Sequence, residues 1–106
     1  MKLLFICNQN QNRSKTAEEI FKDRFETRSA GLFNDKPVSE KEISWADLII
    51  VMEDQQRKEI GIRFPKTYLQ KHIISLNIPD TYYFMEDSLI TILEKNMKEL
   101  IEPLIE

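Results

Sequence analysis

The sequence predicts an α/β protein, a small three-layer α/β/α sandwich around a four-stranded parallel sheet. Three observations predict it. Short apolar runs alternate with segments of helical periodicity along the chain, the signature of parallel βαβ units. The longest runs, residues 3–7 and 48–52, are apolar without alternation, as in strands buried on both faces. The 106 residues suit one compact domain and leave little room for two, so residues 1–106 are read as a single domain.

Each element has a local reason. Residues 2–6 form a first strand that ends abruptly in the polar tract 8–12. From Ser14 the pattern is helical, with Ala17, Ile20, Phe21 and Phe25 on one face. Ser14 reads as the N-cap, and Glu18 and Glu19 lie near the helix start, where carboxylates are favoured. Residues 27–30 form a short second strand punctuated by Gly31, and residues 34–37 a turn. Residues 39–44 form a short helix capped by Ser39. Residues 47–52 are the strongest buried strand. Residues 54–60 are helical and stop at Gly61. Residues 72–76 are the fourth strand, begun by His72, which reads as structural, as does Trp45. Pro79 and Asp80 mark a loop. Residues 86–101 form the last helix, with Leu89, Leu93, Met97, Leu100 and Leu104 as its core stripe. Four strands and four helices result.

Composition narrows the partners. The chain is 42% hydrophobic and 31% charged, ordinary for a globular protein. A net charge of −3 argues against nucleic acid and membrane surfaces, since both are polyanionic. No apolar stretch approaches the roughly 20 residues that span a bilayer, and the N-terminus lacks a secretory pattern. The lone Cys7 cannot form an internal disulfide, which fits a reducing cytoplasm. One His and one Cys do not make a zinc site without several carboxylates. No metal or cofactor is expected, and the chain is read as a monomer or weak dimer.

In doubly wound sheets, ligands bind at the carboxyl ends of the strands. Cys7 ends the first strand and Asp80 follows the fourth, so both lie on that edge. If the strand order is 2-1-3-4, they are on the order of 10 Å apart, a gap that the loop 77–84 spans. The segment Cys7-Asn8-Gln9-Asn10-Gln11-Asn12-Arg13-Ser14 joins the first strand to the first helix. A loop there turns successive backbone N–H groups around one anion, and the helix start adds its own donors and dipole. The residues between Cys7 and Arg13 are enough to wrap a phosphate once. Arg13 then returns to offer two parallel hydrogen bonds to phosphoryl oxygens. Such a positive site favours a cysteine thiolate, and Ser14 donates its hydroxyl to the departing sulfur. The loop has no glycine; its asparagines are the next best residues for a left-handed conformation.

The pattern Cys-x5-Arg-Ser at the end of the first strand resembles the low-molecular-weight protein tyrosine phosphatases. Asn10 matches an Asn that shapes the family's phosphate loop. Thr16-Ala17-Glu18, Ser29-Ala30-Gly31, Ala46-Asp47-Leu48-Ile49 and Val51-Met52 follow in register. Asp80, with Tyr82 and Tyr83 after it, resembles the general-acid loop. The match runs from Met1 to about Phe84. It departs at Gln9, where Gly is usual, at Asn12, where many members have a second Cys, at Lys15 and Thr81, where Pro is common, and in a short segment between Gly31 and Trp45. That segment helps form the substrate groove of longer relatives.

The resemblance implies a phosphotyrosine protein phosphatase I-like fold with strand order 2-1-3-4. It also implies a metal-independent phosphomonoester hydrolase, a protein tyrosine phosphatase working through phosphocysteine. Cys7 is then the nucleophile, Arg13 with residues Asn8, Gln9, Asn10, Gln11, Asn12 and Ser14 the phosphate site, and Asp80 the acid and then the base. Tyr82 and Tyr83 wall the substrate groove. The partner is a phosphorylated protein or a small phosphate ester. Two other functions stay open, an arsenate reductase on a related scaffold and a phosphotransfer-system IIB-like phosphocarrier.

Overall fold

β1 (Lys2–Cys7) is buried on both faces. Leu3, Phe5 and Cys7 enter one apolar cluster and Leu4 and Ile6 another, as the two-residue period of a strand requires. β1 pairs in parallel with β2 (Glu26–Gly31) and with β3 (Leu48–Val51), and β3 pairs in parallel with β4 (Ile73–Ser75). The order is β2-β1-β3-β4, as expected. The computed structural model describes residues 1–105. Among them, no helix is long and apolar enough to cross a membrane.

α1 (Arg13–Phe21) follows β1 and packs Ala17 and Phe21 on the first cluster. The Phe21 ring stacks on Phe5 at 5.8 Å between centroids, worth about 0.5–1.5 kcal/mol beyond area burial. α2 (Glu40–Trp45) and α3 (Asp54–Arg63) cover the second face through Ile43 and Ile60. Ser39 caps α2 as expected. Trp45 is half-buried on that cluster, with the Arg28 guanidinium 4.2 Å from its ring.

Three expectations are corrected here. Gly61 does not stop α3, which runs on to Arg63. A Cβ at Gly61 would lie 3.3 Å from the Tyr68 ring, so its small size serves the approach of the next helix. That helix, α4 (Pro65–Gln70), was not expected at all, although Pro65 stands at its first turn, where proline is favoured. The last segment divides into α5 (Asp87–Asn96), a π-helical turn (Met97–Ile101) and α6 (Glu102–Ile105). Leu89, Leu93, Met97 and Ile101 are buried, while Leu100 and Leu104 are exposed. Residues spaced by four drift about 40° per step around a 3.6-residue helix. The wider π turn takes up that drift and keeps Met97 and Ile101 on the core. It also displaces Leu100 and Leu104 from the expected stripe.

Candidate active site

All four strands point the same way, so the segments after β1, β3 and β4 meet on one edge. Cys7, buried, sits at the end of β1. Its sulfur accepts the Asn10 N–H at 3.2 Å and lies 2.8 Å from the Ser14 hydroxyl. Asn10 has φ 55°, the left-handed conformation that a loop without glycine assigns to asparagine. The Ser14 hydroxyl is also 2.8 Å from Asn10 Oδ1. A hydroxyl has one proton. With that proton on Asn10, the sulfur is the donor and a thiol. With the Asn10 amide turned over, its NH2 donates to Ser14 and Ser14 donates to a thiolate.

Ser14 is therefore not the N-cap of α1. It lies inside the first turn, fully buried, with its hydroxyl committed to Cys7 and Asn10. Asn12 takes the cap position without a side-chain cap, and the first turn has no acidic residue. The first-turn N–H groups of a helix have no intrahelical partner, and here they adjoin the pocket that Asn12 helps to line.

Arg13 is 1% exposed. Its Nη1 donates to the Glu53 carboxylate and, at 2.7 Å, to the Ile78 carbonyl. Its Nε faces Asp80 Oδ1 at 3.7 Å. One guanidinium thus ties together the segments that follow β1, β3 and β4. Glu53 in turn is the N-cap residue of α3, its carbonyl accepting the Gln56 N–H at 3.0 Å. Buried Gln56 accepts the Met52 and Glu53 N–H groups at 2.8 and 3.0 Å and donates to Asn8 Oδ1 at 3.2 Å.

Cys7, Gln9, Gln11, Asn12, Arg13 and Asp80 line a pocket of about 50 Å³. Asn8, Asn10 and Ser14 do not line it. The Asn8 carbonyl accepts the Leu32 and Phe33 N–H groups at 3.0 and 2.8 Å. Tyr82 and Tyr83 do not reach this pocket. They line a wider basin of about 250 Å³ beside it, with Asn12, Asp80 and Thr81. Tyr82 also packs on the core, and Tyr83 is 78% exposed.

Sequence reasoning missed Glu53 and Gln56. The signal for Glu53 was available, a carboxylate directly after the third strand on the edge that carries Cys7. Gln56 had none, because a glutamine in a polar helix reads as surface.

No protein-family model matches the chain, and no curated protein matches it. Among solved structures, its fold is that of the low-molecular-weight protein tyrosine phosphatases. A low-molecular-weight phosphotyrosine phosphatase from Vibrio cholerae O395 superposes with TM-score 0.80 at 17% identity, over 100% of this chain and 97% of the other. A protein tyrosine phosphatase from Entamoeba histolytica gives 0.73 at 26% identity, over 98% and 96%. The YwlE arginine phosphatase from Geobacillus stearothermophilus gives 0.71 at 18% identity, over 98% and 95%.

Proposed function

We propose that the chain is a cysteine-dependent phosphatase that hydrolyses phosphomonoesters, or the corresponding phosphoryl groups of proteins, through a phosphocysteine. One observation carries this reading. The Cys7 sulfur, with the Asn10 N–H and the Ser14 hydroxyl on it, borders a pocket of about 50 Å³ that buried Arg13 and exposed Asp80 also line. The Cys7 thiolate attacks phosphorus, the S–P bond forms and the P–O bond breaks. Asp80 protonates the leaving oxygen. Arg13 and the donors at the start of α1 hold the phosphoryl oxygens as charge redistributes. Water, deprotonated by Asp80, then attacks the phosphocysteine, and Ser14 donates to the departing sulfur. General acid–base help of this kind is worth roughly 10² to 10⁴ in rate.

Purified protein is expected to hydrolyse p-nitrophenyl phosphate with EDTA present. Absence of metal-independent turnover overturns the proposal. A phosphocarrier would retain the phosphoryl group on Cys7 and transfer it without hydrolysis, and an arsenate reductase would need an external thiol. Two of the superposed structures are a tyrosine and an arginine phosphatase, so a panel of phosphotyrosine peptide, phosphoarginine peptide and small esters assigns the substrate.

A further inference from the structure

We propose that Thr16 is the positioning residue for Asp80. The inference rests on the reading of Asp80 as the general acid. Asp80 is on a loop, 59% exposed, and no backbone ladder holds it. The loop is pinned ahead of Asp80 at Ile78, whose N–H reaches the Met52 carbonyl at 2.8 Å and whose carbonyl accepts Arg13. Beyond Asp80 it is pinned at Met85. The Met85 N–H donates to Thr16 Oγ1 at 2.9 Å, across 69 positions of sequence. Thr16 is fully buried in the first turn of α1, two residues from Ser14 and three from Arg13.

The second observation is Met85 itself, with φ 60°. A methionine pays for the left-handed conformation, so the backbone holds it only where something else fixes the loop. A turn closed by the Glu86 N–H on the Tyr83 carbonyl at 3.1 Å holds Met85 there, and the Thr16 hydroxyl anchors that turn. It ties the far end of the acid loop to the helix whose start adjoins the anion pocket. Asp80, Tyr82 and Tyr83 lie between the two pins, and Tyr82 packs on the core in between. Without the Thr16 pin, that turn is no longer held against α1 and the loop samples positions in which Asp80 no longer reaches the leaving oxygen.

The step affected is proton delivery as the P–O bond breaks, so the test compares leaving groups. Nitrophenolate departs as a stabilised anion, whereas phenolate needs the proton. The readout is kcat/KM, which reports steps through formation of phosphocysteine and excludes its hydrolysis. Thr16→Val is expected to lose about 10- to 100-fold on phenyl phosphate, a part of the general-acid contribution, and about threefold or less on p-nitrophenyl phosphate. Thr16→Ser, which keeps the acceptor, is expected to restore phenyl phosphate hydrolysis to within about threefold of wild type. Equal losses on both substrates mean a merely structural threonine and overturn the proposal. If Thr16→Val does not fold, Thr16→Ala carries the same comparison. Asp80→Asn separates the two readings. If it shows the leaving-group dependence and the Thr16 variants do not, only the Thr16 proposal fails. If it shows none, the acid assignment fails and takes the Thr16 proposal with it.

Discussion

α2 begins with Ser39, whose hydroxyl accepts the Glu42 N–H at 3.2 Å while the Glu42 carboxylate accepts the Ser39 N–H at 3.0 Å. α1 begins with Asn12, whose side chain caps nothing, and has no acidic residue in its first turn. One helix start is satisfied by its own residues. The other lacks a side-chain cap and lies beside a pocket lined by Cys7, Asn12 and Arg13. Even the serine in the first turn of α1 is turned away from capping and toward sulfur. The difference supports placing the proposed anion at the end that the chain does not cap with its own side chains.

The largest expected effect comes from breaking the chemistry while leaving the helix start intact. Cys7→Ser should cut p-nitrophenyl phosphate turnover on the order of 10⁶-fold, as loss of a nucleophile does elsewhere. Inorganic phosphate should still raise its melting temperature by mass action. A variant that loses phosphate binding as well would place the affinity on the sulfur rather than on the start of α1. Next comes Ser14→Ala. Hydrogen bonds to charged groups contribute about 1.5–3 kcal/mol, so phosphocysteine hydrolysis should slow by about 10- to 100-fold. Rapid-quench trapping should find the intermediate accumulating.

Asn12→Asp closes the open end. A carboxylate at a helix start stabilises by about 0.3–1 kcal/mol, which urea unfolding should detect. The same charge should weaken phosphate binding about tenfold, the equivalent of 1.4 kcal/mol. Unchanged phosphate affinity would show that the start of α1 does not hold the anion. The smallest functional effect belongs to the closed end. Ser39→Ala should cost about 1 kcal/mol of stability, roughly 4–8 °C in melting temperature for a domain near this size. Its kcat/KM should match wild type.

The centre of the sheet was legible because β1 and β3 are short, apolar and buried on both faces, a signal that depends on local residues alone. The cap at Ser39 was legible for the same reason, since Ser39 and Glu42 need only each other. Ser14 has the same residue type at a helix start, but its partners are a sulfur and an amide held by a loop. Its role follows from the tertiary fold, which local capping rules do not see. A positive φ at one of the three loop asparagines was legible because the loop lacks glycine; that it falls on Asn10 came from the structure. Glu53 offered a signal that went unread, a carboxylate directly after β3, whereas Gln56 was hidden in the start of a polar helix, where only the placement of β3 beside β1 makes it a neighbour of Asn8. The expected stripe Leu100 and Leu104 failed because a π turn changes the rotation per residue, and no residue type announces it.

Cys7 is the sole cysteine of the chain, and this has a chemical consequence for stress and for assay alike. A sulfenic acid formed there by peroxide has no neighbouring thiol to condense with inside the molecule, so its return to the reduced state falls to thiols from outside. The same solitude makes every alkylation event a count of working sites: one label per chain, read by mass, titrates the pocket without interference.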